Sequence, residues 1–132
     1  MSYSYADAMI AMIDQTLANL PALVPSNRVD IPGNKFTTPD SGYWARLSFV
    51  TLISENITPC YKRDEVNYAV DLFYPKDSGI IQQMRDSEAL RAIIENVDIG
   101  NARTDKATIN DLGEDGPWYH IQIEQPFTFE GQ

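Results

Sequence analysis

The spacing of apolar residues predicts a helix at the start of the chain. Apolar side chains recur three and four positions apart from Tyr5 to Leu20, which places them on one helical face. Ser4 and Asp7 together are typical of a helix start, and Pro21 ends the pattern. We expect this helix to pack its apolar face on the core.

Residues 21–43 interrupt the pattern with six proline and glycine residues among polar side chains. Because such residues break regular structure, the sequence predicts a long loop here. Long loops within a compact domain are uncommon, and those that occur are often functional or become ordered against a partner. Disorder of this segment in the isolated chain is the competing interpretation.

Two strands are predicted next. The stretch from Trp44 to Ile53 is rich in aromatic and β-branched residues, and the stretch from Glu65 to Tyr74 alternates strictly between two faces. We expect them to form an antiparallel pair. Residues 54–64 between them are too polar for a core and too long for a tight turn, so they should project as a loop or an extended hairpin tip.

A second helix and a closing hairpin complete the pattern. Pro75 ends the second strand, and apolar residues at helical spacing from Ile80 predict a helix that ends near Asn96. Residues 97–109 carry weak strand signals, and residues 110–117 are dense in turn formers, so a hairpin should lead into a last strand at residues 118–129. Pro126 in that strand predicts an edge position or a bulge.

These elements predict one α+β domain over residues 1–132. Its sheet should have about four strands, antiparallel or mixed, with two helices packed on one face and the order α-β-β-α-β-β. The opposite face would combine Trp44, Arg46, Trp118 and His120. Solvent or another subunit could cover such a mixed face.

Composition and charge limit the classes of partner. With 43% hydrophobic and 22% charged residues, the chain matches an ordinary globular domain. A net charge of -9 argues against static binding of DNA, although an acidic surface suits a channel through which DNA passes. The single cysteine, Cys60, allows no intrachain disulfide, and the first residues do not form a signal-peptide pattern. We therefore expect a protein made in a cytoplasm.

The residues that could carry chemistry do not form a catalytic pattern. His120 lies in an alternating strand, and Cys60 has no patterned neighbour, so both are interpreted as structural. Residues 110–116 lack the alternating oxygen ligands of a calcium loop, and no phosphate-binding glycine motif occurs. We expect no enzyme, no catalytic residue, no cofactor and no metal. The compact basic cluster of Tyr61, Lys62 and Arg63 is expected to be solvated or to contact an acidic subunit.

The layout resembles the small tail-terminator, or tail-completion, proteins of long-tailed bacteriophages over nearly the whole chain. The more specific segments are TPDSGYWARLSF and the strand-to-helix junction YPKDSG, followed by the closing WYHIQIEQPFTF. The resemblance implies a homo-oligomeric ring, a hexamer, in the virion tail. It would cap the tail tube, stop its polymerisation and contact the head-completion protein, while DNA passes only through the lumen and no membrane is involved.

The resemblance also implies two sets of contact residues. The candidate subunit interface comprises Trp44, Arg46, Trp118 and His120. The candidate axial contacts with tail or head comprise Phe36, Tyr61, Lys62 and Arg63. Two alternatives stay open: a head-to-tail connector or minor tail protein, and, in a different class, a small host-directed regulatory protein of a phage.

Overall fold

The computed structural model describes residues 3–132, which form two helices and seven strands. In chain order they are α1 (Tyr5–Ala18), a 3₁₀ turn (Ser26–Arg28), β1 (Val29–Asp30), β2 (Trp44–Thr58), β3 (Tyr61–Pro75), α2 (Ile80–Ile94), β4 (Asp98–Ile99), β5 (Ala102–Thr104), β6 (Thr108–Asp115) and β7 (Trp118–Gly131). No helix in this range is long and apolar enough to cross a membrane.

A single sheet contains all seven strands in the order β1-β2-β3-β7-β5-β4, with β6 also paired to β7. The long β2–β3 hairpin is antiparallel from Trp44 opposite Phe73 to Thr58 opposite Tyr61. β7 continues the sheet beside β3 over its whole length. The sheet is mixed because β1 is parallel to β2, and it curls into a half-barrel.

Both helices pack on one side of this sheet, which we call the core face. Strand alternation turns Val70 of β3 and Ile123 of β7 to this side, where both are fully buried. Met12 of α1 and Leu90 of α2 belong to the same buried cluster. One hydrophobic core therefore joins the helices to the central strands, and the side of the sheet that bears Asp71 forms the opposite, open face.

Buried polar side chains fix the helices on the core face. Gln83 of α2 donates hydrogen bonds to the carbonyls of Leu72 at 2.9 Å and Tyr119 at 2.8 Å, which ties α2 to β3 and β7. The hydroxyls of Thr16 in α1 and Tyr68 in β3 lie 2.7 Å apart. Because an unpaired buried polar group is costly, these bonds also restrict where each helix can sit.

The predicted fold class is wrong in strand number and element order. Seven strands form the sheet, about 45% of the chain is strand, and the order α-β-β-α-β-β omits β1. The strand expected within residues 97–109 is divided into β4, β5 and the start of β6, and residues 110–117, expected as a turn, lie mostly in β6. The strands β1, β4 and β5 contain two or three residues each, which is too short for alternation to be recognised. These short strands form because they pair with neighbouring strands, and the pattern along a single sequence does not show which strands will pair.

Two predicted loops also contain regular structure. Residues 54–64, expected as a loop or an extended hairpin tip, form the hairpin tip, because β2 and β3 continue to a tight turn at Pro59 and Cys60. Because β7 flanks β3 as far as Lys62, this end of the hairpin is part of the sheet. The predicted loop at residues 21–43 contains the 3₁₀ turn and β1. Its end is anchored by Arg28, whose guanidinium donates to the Ser41 carbonyl at 2.7 Å.

Pro126 does not lie on an edge strand, as had been expected. It sits inside β7 opposite Asn67, with the β3 ladder unbroken on that side. On the other side of β7, the β6 ladder reaches Glu124 and the β5 ladder begins at Phe127. Pro126 therefore occupies a gap between two short strands, where no partner requires the hydrogen-bond donor that proline lacks.

Candidate assembly surface

A buried carboxylate lies at the centre of the open face. Asp71 is only 1% exposed, and its Oδ1 lies 2.6 Å from Nε2 of His120 and accepts a hydrogen bond from Gln122 at 3.0 Å. The Arg46 Nε lies 3.5 Å from Oδ2. Arg46 and Gln122 are the register partners of Asp71 on β2 and β7. The network therefore ties three strands together and provides the partners that a buried charge requires.

An aromatic cluster adjoins this network at one end of the sheet. Trp44 stacks between Phe73, at a centroid distance of 4.1 Å, and Phe36, at 5.7 Å. Trp118 meets Trp44 edge-on at 5.7 Å, and its indole N–H donates to the Gly42 carbonyl at 2.8 Å. These contacts hold the end of the long segment after β1 against the sheet.

The four residues of the candidate subunit interface lie in this one region of the open face. Trp44 is 5% exposed and the His120 side chain 12%, because both pack on Phe73. The Arg46 side chain is 44% exposed and Trp118 is half-buried. The predicted grouping is therefore present, but Arg46 and the rim of Trp118 are the parts that a partner can reach.

The candidate axial contacts lie at opposite ends of the long hairpin. Phe36 belongs to the aromatic end through its contact with Trp44, whereas Tyr61 follows the turn at the other end. Fourteen residue steps at about 3.3 Å each separate these ends by roughly 45 Å. The Lys62 ammonium lies 5.6 Å from the Tyr3 ring centroid, and Arg63 pairs with Glu55 at 2.8 Å. The basic cluster is thus held within the ladder.

Sequence reasoning missed a row of exposed apolar side chains on β2. Val50, Leu52, Ile53 and Ile57 are between 46% and 59% exposed. β1 pairs with β2 only at Ala45 and Arg46, and in the described chain no other strand pairs with this outer edge. Leu52 and Ile57 sit at irregularities in the β2–β3 register, which turn extra side chains outward. The apolar run had indicated a strand, but nothing in it showed which strand would lie at the edge.

A second free edge lies beyond β7, on the side away from β3. β6 pairs with β7, and within residues 3–132 no strand pairs with its outer side. Leu112 sits at a register shift in β6 and is 52% exposed. Each free edge therefore has an exposed leucine at a register irregularity.

The groups considered for chemistry do not converge. Cys60 is exposed at the hairpin turn, whereas His120 lies opposite Phe73 near the other end of β3. No set of three or more His, Cys, Asp or Glu side chains that could hold a metal ion is found in the described part of the chain. A shallow cleft of about 410 Å³ lies between Asn96–Asp98 and Arg103–Asp105 and is open to solvent.

The comparison with known proteins shows the fold alone. No protein-family model matches the sequence, and no curated protein matches it. Among solved structures, one protein whose name describes no activity superimposes with a TM-score of 0.71 at 15% identity, over 99% of each chain. The whole chain therefore shares its architecture with a known structure, and at this identity the likeness says nothing about function.

Proposed function

We propose that this protein is a ring-forming subunit of the tail-terminator type in a long-tailed bacteriophage. Six copies would cap the tail tube, stop its polymerisation and offer a surface to the head-completion protein. The observation that carries the proposal is a sheet with two free edges whose strands, β2 and β6, run in opposite directions. The resemblance in sequence layout supplies the biological setting.

The direction of the strands favours a contact between one copy and the next. β2, β3, β7 and β6 follow one another across the sheet, and each pair is antiparallel. Because four strands alternate, β2 and β6 run in opposite directions. A neighbouring copy related by rotation about a ring axis would therefore present its β6 antiparallel to β2. Such a heterologous contact can close into a ring.

The side chains at the two edges suit burial in this contact. The apolar row of β2 and Leu112 of β6 are largely exposed in the single chain. A long, apolar free edge invites pairing with another strand, and proteins normally cover or blunt it. Pairing with the next copy would remove both exposed edges. Because β1 covers the β2 edge at Ala45 and Arg46, this contact would lie along the rest of β2.

The two ends of the long hairpin differ in their side chains, which suits contact with two different partners along the ring axis. The aromatic end carries Phe36, Trp44 and Trp118, and the turn end carries Tyr61, Lys62 and Arg63. A terminator has to bind the tube on one side and the head on the other. A subunit whose ends differ in this way can distinguish the two partners.

The experiment that tests the proposal is incubation of the purified chain with polymerising tail-tube protein, followed by negative-stain microscopy of tube lengths and ends. We expect shorter tubes with a cap at one end. Leu52→Lys should abolish capping, because it places a charge in the edge contact. Ile81→Lys, which changes a 65% exposed residue on α2, is the matched control and should still cap.

Tubes that grow without a cap in the presence of the wild-type chain would contradict the proposal. A head-to-tail connector would form the same ring but would bind isolated heads in place of tube ends. A host-directed regulator would leave both unaffected and would remain a monomer or dimer at high concentration.

A further inference from the structure

The aromatic end of the open face contains a buried tryptophan whose hydrogen-bond donor is unpaired. Trp44 is 5% exposed, and its indole N–H has no acceptor among the residues that the structure describes. The indole N–H of Trp118, which meets Trp44 edge-on, donates to the Gly42 carbonyl at 2.8 Å. Because a buried donor without an acceptor is costly, the two tryptophans differ in how well their surroundings suit them.

A single phenylalanine covers one face of the Trp44 ring. The ring lies between Phe73, which belongs to β3 and is 1% exposed, and Phe36, which comes from the long segment between β1 and β2. The centroid of the Trp44 ring is 4.1 Å from that of Phe73 but 5.7 Å from that of Phe36. The contact with the sheet is therefore tight, and the contact with the segment is loose.

The segment that carries Phe36 is anchored near both of its ends. Ile31 packs against the hydrophobic core, and the Ser41 carbonyl accepts a hydrogen bond from Arg28 at 2.7 Å. Between these anchors, residues 35–40 form no helix or strand and make no hydrogen bond or ion pair with any other residue in the described part of the chain. Phe36 can therefore move away from Trp44 without breaking a hydrogen bond.

The exposed charge beside this site is positive. The Arg46 guanidinium lies 5.2 Å from the Phe73 ring centroid, and the Arg46 side chain is 44% exposed. Its carboxylate partner, Asp71, is only 1% exposed, so solvent meets the cation and not the anion. An acidic side chain on a partner would therefore find a guanidinium next to the aromatic rings, although the net charge of the chain is -9.

We propose that Phe36 is a displaceable cover, and that the slot it fills on Trp44 binds a peptide segment of a partner that presents an aromatic side chain next to an acidic one. The aromatic ring would replace Phe36 on Trp44, a backbone carbonyl beside it would accept from the Trp44 indole N–H, and the carboxylate would pair with Arg46. The position of Phe36 shows that the slot accepts a phenyl ring from an irregular segment. The slot would serve this role whether or not the chain forms a ring.

The experiment compares peptide binding with and without the cover. Phe36→Ala empties the slot, and Thr38→Ala changes an exposed residue of the same segment and is the matched control. The probe is the acetylated and amidated tetrapeptide glycine-phenylalanine-aspartate-glycine. Two further peptides replace its phenylalanine with alanine or its aspartate with asparagine. Thermal melts followed by circular dichroism establish that each variant is folded.

Binding is followed on the full chain by proton–nitrogen correlation NMR. The chain has two tryptophans and therefore gives two indole N–H signals, which Trp118→Phe assigns. We expect the probe to shift the Trp44 signal and to bind Phe36→Ala about fivefold more tightly than the wild type or Thr38→Ala, since no stacked aromatic pair has to be broken first. The asparagine peptide should bind more weakly, and the alanine peptide should not bind.

Several outcomes would overturn the inference. Equal affinity of the probe for the wild type and Phe36→Ala would mean that Phe36 does not cover the site. Absence of binding by every protein at millimolar probe would mean that there is no site, and binding that leaves the Trp44 signal unchanged would place it elsewhere. Equal affinity for the aspartate and asparagine peptides would contradict the contact with Arg46.

Hydrogen exchange of the wild type tests the cover without any substitution. If Phe36 moves away locally, the Trp44 indole N–H should exchange with deuterium much faster than the backbone amides of β3, which require global unfolding. Low concentrations of urea should leave this rate unchanged, because local opening exposes little surface. Saturating probe should slow it. Exchange of the Trp44 indole at the rate of the β3 amides would show that the segment does not open by itself.

Discussion

At the scale of single residues, Asp71 connects the strands of the open face. Its carboxylate is almost completely buried and has His120, Gln122 and Arg46 as partners from two neighbouring strands. Its place on the open face follows from alternation in β3, which the sequence predicted. Its burial does not, because covering it requires side chains from β2 and β7 that come close only in the folded sheet.

Asp71→Ala should destabilise the protein by about 2–3 kcal/mol, because Arg46 and His120 lose a buried partner. Urea unfolding followed by circular dichroism measures this change. Asp98→Ala removes the partner of Arg103 from a pair that is 61% exposed on both sides and is the control. Its effect should stay within about 0.5 kcal/mol. Equal losses for the two variants would show that the Asp71 network does not stabilise the sheet.

The stability of the protein should fall at alkaline pH because buried tyrosines ionise less readily than those of the unfolded chain. Burial raises the pKa of the Tyr68 hydroxyl above its usual 10.0, and the hydrogen bond with Thr16 offsets part of that rise. Because the pKa is raised in the folded state, the unfolded chain releases this proton first. The contribution to stability is complete below pH 10 and is lost as the pH rises further.

Tyr68→Phe tests this assignment. At neutral pH the variant should lose about 1 kcal/mol, since Thr16 loses its partner. Above about pH 10 its melting temperature should decline less steeply than that of the wild type, because a phenylalanine cannot ionise. Thermal melts from neutral to strongly alkaline pH measure both effects. Parallel decline in the two proteins would assign the alkaline loss to other groups such as Tyr74, whose pKa is also raised, mainly by burial.

At the scale of elements, α1 approaches the β4–β5 turn closely. Gly100 in that turn has φ +59, and a Cβ added there would lie 2.7 Å from the Cβ of Ala11. The helix can pack at this distance only because the turn residue has no side chain. The turn therefore sets the position of α1 relative to the far end of the sheet.

Gly100→Ala should be more destabilising than Gly116→Ala by about 2 kcal/mol. Gly116 has φ +60 and no atom near its added Cβ, so the two variants share the backbone strain and differ in the clash with Ala11. Urea unfolding of both gives the difference. Ala11→Gly combined with Gly100→Ala should recover part of the loss. Similar effects at both glycines would mean that α1 can shift without cost.

The sequence predicts the long elements better than the short ones. α1 forms with Ser4 as its N-cap, which accepts from the Asp7 amide at 3.1 Å, and the antiparallel β2–β3 pair forms as expected. Long segments repeat their pattern often enough to fix both the type of element and the buried side. The short strands β1, β4 and β5 repeat it once at most, so their existence depends on neighbours.

At the scale of the whole molecule, the two free edges of the subunit differ from each other. The β2 edge and the β6 edge differ in length and side chains, so the proposed contact joins unlike surfaces. An isologous dimer would instead join two β2 edges or two β6 edges. The two arrangements predict different behaviour for edge variants.

A mixture of Leu52→Lys and Leu112→Lys subunits tests which arrangement is correct. Each variant alone has one damaged edge, so neither should assemble at high concentration. Mixed, they should form a heterodimer and nothing larger, because the intact β2 of one meets the intact β6 of the other. Sedimentation velocity of each variant and of the mixture measures this. A dimer of Leu112→Lys alone would show β2 pairing with β2 and would contradict the ring.

The sequence by itself determined the two helices, the antiparallel pairing of β2 with β3, the last strand and the grouping of Trp44, Arg46, Trp118 and His120 on one face. Periodicity is a local property, and over ten or more residues it fixes which side of a strand a side chain occupies. The tertiary structure alone decided that β2 is an edge, that β7 is central despite Pro126, and that Asp71 is buried. Each of these depends on which strand lies alongside, and that is set by contacts between residues far apart in the chain.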